Sequence, residues 1–435
     1  MEAFEEMREL KIAVIGSGST YTPEMIQGFI QRKDVLHVRS FYMMDIDRPK
    51  NEIVAGLTRR MLAANGMFPE FVLTESLEEA IQGADYVLAQ IRVGMLEARI
   101  RDETIPLKYG LLGQETTGAG GFMNALRTVP VILHIAQLIE KLAPNAWFIN
   151  FSNPSGIMAE AVLNRTNVKM IGLCNVPTVV LKDAVLRTPP GTKQFDYDYV
   201  GLNHLAWLTA IYADGAEILQ QQLLADTELP GMKNTPAIPY PPGMLRQIGG
   251  IPANYPSYFY FREEHVKRCM EAPQCRGEVC RGIEAELLKL YCDPDLKEKP
   301  ALLEQRGGAY YSEAAVSLIE SIENDKNDVH VVNVLNNGAF PFMAHDDAVE
   351  VKCVVNRQGA TPVPLRNFEN RHIIGLMQAV KAYEKLTVEA AVSGNYDLAL
   401  QALLVHPLVG DYPKAKGVLD EMLAANKAYL PAFFQ

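Results

Sequence analysis

Apolar residues in the first half of the chain come in short unbroken runs instead of alternating with polar ones. LKIAVI (10–15) is β-branched, apolar throughout and ends at Gly16, the pattern of a strand buried on both faces of a parallel sheet. VRSFYMMDI (38–46), a stretch near 71–73, ADYVLAQI (84–91), AWFINFS (146–152) and KMIGLC (169–174) read the same way, and helical segments at Pro23–Gln31, 50–66, 77–82 and 124–141 separate them. Regular strand–helix alternation over about six strands predicts an α/β protein whose N-terminal part is a Rossmann-type doubly wound parallel sheet. Beyond residue 180 the regularity fades. Segments 276–292, 309–323, 370–395 and 412–428 carry helical periodicity while 329–337 and 348–355 read as strands, so the C-terminal part is expected to be α+β. The Pro- and Gly-rich stretch 227–257 is too long for an ordinary connection and is expected to act as a lid or binding loop. The predicted domains are 1–200 and 201–435, with a shared core near 175–205.

Composition narrows the function classes. Apolar residues make up 48% and charged residues 21% of the 435, which fits a globular protein with a large core. A net charge of −11, with no basic run carrying interleaved aromatics, argues against nucleic acid as a partner, so any anionic ligand must be held by a few local Arg residues. The acidic start MEAFEEMREL is unlike a secretory signal, and no spanning run of about 18 apolar residues is expected, so neither export nor a membrane partner is predicted. Six cysteines in this length suit free thiols in a reducing, cytoplasmic setting. The Cys269, Cys275 and Cys280 group lacks zinc-ribbon spacing.

Candidate chemistry gathers at the predicted strand ends, the edge where doubly wound sheets bind ligands. KIAVIGSGST (11–20) places Gly16 and Gly18, followed by Ser19 and Thr20, where a strand turns into a helix and backbone N–H groups can approach a pyrophosphate. Tyr21 occupies the place of the usual third glycine. Asp45 ends the second strand and could bind ribose hydroxyls, which favours NAD over NADP; a helix-capping role is equally open. QIRVGMLEARIRDE supplies Arg92, Arg99 and Arg101, of which Arg101 is expected on a solvated helix face while another could clamp an anion. Glu115, in a glycine-rich stretch, is either an acid–base group or a helix-start carboxylate. Asn153 offers an amide at a strand end or simply makes a turn. Cys174 and His204 suit a divalent ion with open positions, although a buried thiol and a hydrogen-bonded core imidazole explain each singly.

Taken in order, GSGSTYTP, QIRVG, GQETTGAGGFMNALR, NFSNPSG, GLCNVP, GLNH, IPANY, RGGAYYS (306–312) and NVLNNGA resemble the NAD- and metal-dependent glycosidases of glycoside hydrolase family 4, with CNVP most similar to its 6-phospho-β-glucosidases. The resemblance runs from residue 11 to about 350. It implies a lactate/malate-dehydrogenase-like architecture, with NAD bound by residues 1–200 and substrate, metal and oligomer contacts made by 201–435. Cys174 and His204 would hold a divalent metal, normally manganese, Tyr255 would take the proton from C2 of the sugar, and Glu115 would raise the basicity of that tyrosine. Arg99, Asn153 and Arg276 would contact a phosphorylated β-glucoside, with Arg281 a neighbouring alternative to Arg276. Oxidation at C3 by NAD acidifies the C2 proton; elimination of the aglycone, addition of water and re-reduction complete the cycle. The family's α-specific members carry Asp after the metal-binding Cys, where Asn175 stands here; an amide cannot serve as general acid, which favours β-linked substrates. Homodimers or homotetramers are implied. Two other readings remain: a hydroxy-acid dehydrogenase using His204 as acid–base and Arg99 as clamp, and a non-catalytic NAD-binding protein.

Overall fold

A computed structural model describes residues 8–224, 229, 232, 235, 237–307 and 311–434. Most of the 227–236 part of the expected loop, positions 308–310 of RGGAYYS with the first residues of the 309–323 segment, and the acidic start lie outside the described residues. The strands are β1 (Glu9–Ile15), β2 (His37–Met44), β3 (Glu70–Thr74), β4 (Tyr86–Ala89), β5 (Trp147–Asn150), β6 (Lys169–Gly172), β7 (Phe195–Leu202), β8 (Leu205–Ala213), β9 (Ala216–Glu217), β10 (Ile251–Pro252), β11 (Asp328–Leu335), β12 (Ala348–Asn356) and β13 (Gly359–Pro362). All belong to one sheet, in the order β10-β8-β7-β12-β11-β6-β5-β4-β1-β2-β3, with β13 beside β12 and β9 beside β8.

The half from β3 to β6 is parallel in the order 3-2-1-4-5-6, the doubly wound arrangement that the apolar runs predicted. From β6 onward every pairing is antiparallel, beginning where Asn333 of β11 meets Gly172 of β6. The C-terminal strands therefore extend the N-terminal sheet directly.

Helix boundaries follow local chemistry. Asp47 accepts from the Lys50 N–H and Pro49 opens the helix Arg48–Ala64, so the chain turns sharply after β2. Asn370 accepts from the N–H groups of His372 and Ile373 at the start of Arg371–Ser393. The helix Gly118–Leu142 corrects the expectation about spanning segments, because by length and composition it could cross a membrane. It is a core helix: 67% of its apolar window is buried, and it packs on the helices Met95–Thr104, Ser155–Arg165 and Arg371–Ser393. Within it the Arg127 guanidinium meets Asp102 at 2.5 Å and the Asn426 amide oxygen at 3.0 Å, all three side chains being buried.

Candidate functional site

The ends of β1, β2, β4 and β5 open into a cavity of about 630 Å³, lined on its way down by Gly16, Gly18, Ser19, Asp45, Arg92, Arg99, Glu115, Asn153, Asn175, His204, Tyr255 and Arg306. Sequence positions hundreds of residues apart thus meet at the edge predicted for ligand binding.

At the upper wall, the Gly16 and Ser17 N–H groups donate to the Met44 carbonyl at 2.9 and 3.1 Å, which ties the turn to the end of β2. Gly16 has φ +87°, and a Cβ there would stand 2.9 Å from the Gln90 carbonyl oxygen, so only glycine fits. The Gly18 N–H donates to Asp45 Oδ2 at 2.8 Å and the Asp47 N–H to Asp45 Oδ1 at 2.9 Å. Asp45 therefore braces the turn and caps the loop that follows, while its remaining lone pairs are still able to accept hydroxyl donors. Thr20 is buried behind the turn and is not part of the cavity lining. Tyr21 replaces the third glycine for a visible reason: its ring lies 4.9 Å beneath the guanidinium of Arg306, and both line the cavity.

Deeper in, Glu115 is buried between Arg92 at 2.6 Å and Arg99 at 3.0 Å. Burial pushes its carboxyl up, but the two guanidinium charges outweigh that and hold it below the usual carboxylate range. Glu115 precedes the helix Gly118–Leu142 and is paired with Arg side chains, so the helix-start reading does not describe it. Arg99 is held on its other side by Glu103 at 2.8 Å, and Glu103 in turn accepts the Gly277 N–H at 2.6 Å. Arg101, expected on a solvated face, is half-buried, because the helix Met95–Thr104 packs against Arg276–Tyr291 and Gly118–Leu142.

At the floor the His204 and Tyr255 rings stack with centroids 4.2 Å apart. Burial drives the His204 imidazole down to about 3, against a smaller upward pull from Glu115, so it is neutral at physiological pH, and its Nδ1 has no hydrogen-bond partner among the described residues. Tyr255 is pushed up by burial and then by the negative charges of Cys174 and Glu115, with Thr235 and Thr116 pulling the other way. Glu115 shares the cavity lining with Tyr255, whereas Cys174 is buried outside the lining and within electrostatic reach of the Tyr255 phenol. Tyr258 packs on His265, and the Tyr260 hydroxyl pairs with His372 at 3.1 Å, so of the three tyrosines only Tyr255 reaches the cavity. Asn153 lines the wall with a buried Oδ1 that has no partner among the described residues.

Arg276 sits outside the lining and donates to the carbonyls of Gln305 and Arg306 at 2.8 and 2.9 Å. Arg306 lines the cavity together with Cys280, Glu284 and Gly307; its Nη2 meets Glu284 at 3.2 Å, while its buried Nε has no partner among the described residues. It stands in RGGAYYS, a motif noticed in the sequence without a role for this side chain. Arg281 reaches outward to Glu97 at 3.1 Å.

Behind the floor lies a buried carboxylate that sequence reading passed over. Glu350 on β12 accepts from the Asn203 Nδ2 at 2.9 Å, the Tyr199 hydroxyl at 2.8 Å and the Asn333 Nδ2 at 3.5 Å. Burial pushes it up to about 7, less than it would be without those three donors. Among the described residues no group of three or more His, Cys, Asp or Glu side chains forms a ready cation cage, so the three cysteines 269, 275 and 280 make none.

Fold and cavity together define a Rossmann-like α/β protein with a deep, charged cavity at the carboxyl edge of its sheet. The chain belongs to glycosyl hydrolase family 4: residues 11–187 match the family 4 glycosyl hydrolases and residues 199–409 match their C-terminal domain. It is 43% identical over 434 residues to the "Probable 6-phospho-beta-glucosidase" of Bacillus subtilis (strain 168), covering 98% of both chains. It is 38% identical to the 6-phospho-beta-glucosidase of Escherichia coli (strain K12), covering 98% of this chain and 97% of that one. The solved 6-phospho-beta glucosidase of Thermotoga maritima, with manganese, NAD+ and glucose-6-phosphate, superposes with a TM-score of 0.88 at 33% identity, covering 97% of this chain and 99% of the other.

Proposed function

We propose that this protein hydrolyses 6-phospho-β-glucosides by NAD-dependent oxidation at C3, Tyr255-assisted proton removal at C2, elimination of the aglycone, addition of water and re-reduction. The observation that carries the proposal is the meeting of His204, Tyr255 and Glu115 at the floor of a cavity whose upper wall is the Gly16–Asp45 turn, with the buried Cys174 within electrostatic reach of Tyr255. The relatives supply the substrate class: the Thermotoga maritima structure holds NAD+, manganese and glucose-6-phosphate.

The residues present fit both groups. A neutral imidazole with a free Nδ1 and a thiol beside the same phenol suit a divalent cation such as Mn2+ that also takes substrate oxygens. Gly16, Gly18, Ser19 and Asp45 suit the pyrophosphate and ribose of NAD, while Thr20 is buried and its carbonyl accepts the Tyr291 hydroxyl. When bound, NAD supplies reversible oxidation of the sugar and the cation supplies Lewis-acid stabilisation of the oxygens it chelates.

The chain's own groups do the rest. Tyr255 takes the C2 proton through its phenolic oxygen; the nearby carboxylate of Glu115 favours the protonated phenol and so makes Tyr255 the stronger base once ionised. Arg92 and Arg99 keep Glu115 ionised and fixed. Asn153 presents its orphaned amide oxygen to a sugar hydroxyl, and Arg99 completes the wall beside it. Arg276 acts through the carbonyls that hold Arg306 over the cavity. Asn175, on the cavity wall, cannot donate as an acid, which supports a β-linked substrate. The reading includes a cytoplasmic homodimer or homotetramer, with cofactor held by residues 1–200 and substrate, metal and subunit contacts made by 201–435; six free cysteines support a reducing compartment.

The test is release of chromophore from a chromogenic 6-phospho-β-glucoside and from its unphosphorylated counterpart, each with and without NAD and Mn2+. Cleavage of the phosphorylated compound alone, dependent on both additions and without net NADH, is expected. Stoichiometric NADH with a hydroxy acid would instead establish a dehydrogenase, and NAD binding without any turnover a non-catalytic protein.

A further inference from the structure

The two side chains assigned to the cation come from different parts of the sheet. Cys174 stands two residues beyond β6, and His204 sits in the two-residue turn between β7 and β8. Between β6 and β7 lie β11 and β12, so nothing in the local sequence of either ligand sets its distance from the other.

Glu350 connects them. It faces Gly201 across the β12–β7 pairing, and its Oε1 accepts from the Asn203 Nδ2, the residue next to His204. The same Oε1 accepts at 3.5 Å from the Asn333 Nδ2, and that amide also donates to the Gly172 carbonyl at 3.3 Å, at the end of the strand leading to Cys174. The approach is tight, since a Cβ on Gly172 would lie 2.9 Å from the Asn333 Cβ. Its Oε2 accepts the Tyr199 hydroxyl, and Tyr199 lies within electrostatic reach of Cys174. One carboxylate, buried to 1% exposure, thus gathers neutral donors from the His204-bearing hairpin and from Asn333, which in turn holds the end of the strand leading to Cys174. The three donors serve it without a cation, an arrangement that burial makes costly unless position is what it secures.

We propose that Glu350 is a positioning residue that fixes the Cys174 segment and the His204 turn at the separation one divalent cation requires. The proposal rests on Cys174 and His204 being the metal ligands. Groups that orient metal ligands typically change affinity by about 10–100-fold when removed.

The experiment titrates the full-length protein with Mn2+ alone, following free Mn2+ by electron paramagnetic resonance, and measures NAD affinity on the same samples. Glu350→Leu is expected to weaken Mn2+ binding roughly 10–100-fold, with NAD affinity within about twofold. Glu350→Gln keeps an acceptor for the Asn203 amide and can donate to the Tyr199 oxygen, so it should stay within about threefold of wild type. Should Glu350→Leu fail to fold, Asn203→Ala removes the hydrogen bond from the His204 turn to Glu350 and should weaken Mn2+ about tenfold. Unchanged Mn2+ affinity in Glu350→Leu, or in Asn203→Ala where it replaces it, overturns the positioning role, as does a parallel loss of NAD affinity. A wild-type chain that takes up no Mn2+ overturns the ligand assignment and this inference together, which separates the two failures.

Discussion

At the Gly16 turn the contacts that close the backbone join residues of one strand–helix–strand unit: Gly16 and Ser17 donate to Met44, Gly18 to Asp45, and Thr22 to Ser17, while Gln90, Tyr291 and Arg306 buttress it from outside. At the opposite end of the same cavity, the floor draws Glu115 from before one helix, His204 from the β7–β8 turn and Tyr255 from beyond β10, backed by the buried Cys174 from just past β6 and Glu350 from β12. The first region is a local solution that a segment of about 35 residues, in the scale of a βαβ unit, carries with it. The second exists only when the sheet is complete. Binding of cofactor and assembly of the chemical groups should therefore separate under mutation, with changes at the floor abolishing turnover while the turn still binds dinucleotide.

The sharpest separation is expected from Tyr255→Phe. The phenyl ring keeps the stack on His204, whose centroid lies 4.2 Å away, so folding should survive. Loss of the base should lower kcat by roughly 10²–10⁴-fold, with NAD affinity unchanged by fluorescence titration. Retained turnover would break the comparison, because proton removal would then not depend on the floor. The reverse separation comes from Gly16→Ala. The added Cβ meets the Gln90 carbonyl oxygen at 2.9 Å in a φ of +87°, a strain of about 1–3 kcal/mol. NAD affinity should fall about tenfold while Mn2+ binding at the floor stays intact.

Acid titration probes the floor by a different route. Glu350, pushed up to about 7 by burial, binds its proton more tightly folded than unfolded, where a carboxyl titrates near about 4.3. Its contribution is therefore fully present below the unfolded value and is lost as pH rises through about 7. His204 and His406, driven down to about 3 by burial, act in the opposite sense, costing stability as pH falls from about 6.5 toward 3 because the unfolded chain takes the protons first. In wild type these contributions oppose one another between about pH 7 and pH 5. Glu350→Gln removes one compensating proton, so its urea-unfolding free energy should drop by about 2 kcal/mol more than that of wild type over that interval. Parallel pH curves for the two proteins would show that the carboxylate is not desolvated in solution.

The same local-versus-assembled contrast explains what could be read in advance. The six parallel strands were legible because each is a short apolar run closed by a polar turn, and the observed β1, β2, β4, β5 and β6 lie within a few residues of the expected limits. The hairpin β7–β8 was not legible: its strands are buried on both faces but hold Tyr, Asp and Gly among their apolar residues, because Asp198 is paired with Arg366 and Tyr199 with Glu350. Such polar residues become acceptable only through partners more than 150 positions away. The helices Ser155–Arg165 and Val176–Leu186 were not assigned from the sequence, because SNPSG offered a turn at Asn153 and CNVP stood out for Cys174 at a strand end. Among site residues, Gly16, Gly18 and Asp45 announced themselves by spacing, Cys174 and His204 only by residue type at a strand end and in an apolar setting, and Tyr255 by family resemblance alone. Glu350 and Arg306 had none, since a lone acid in AVEVKCVV or a lone Arg before two glycines gives no hint of where the fold will turn it.

The smallest expected effect tests whether the turn does more than hold itself together. Asp45 already accepts the Gly18 and Asp47 N–H groups at 2.8 and 2.9 Å, so part of its value is structural. Asp45→Asn keeps one acceptor oxygen for the Gly18 N–H and removes the charge, so NAD affinity should fall less than tenfold, about 1 kcal/mol for a single exchanged hydrogen bond. NADP affinity should move the other way, since a carboxylate beside the ribose repels a 2′-phosphate and an amide does not. Equilibrium binding of the two dinucleotides to wild type and variant reads both changes. Equal losses for NAD and NADP would mean that Asp45 only braces the turn, and the upper wall would then owe its cofactor choice to another group.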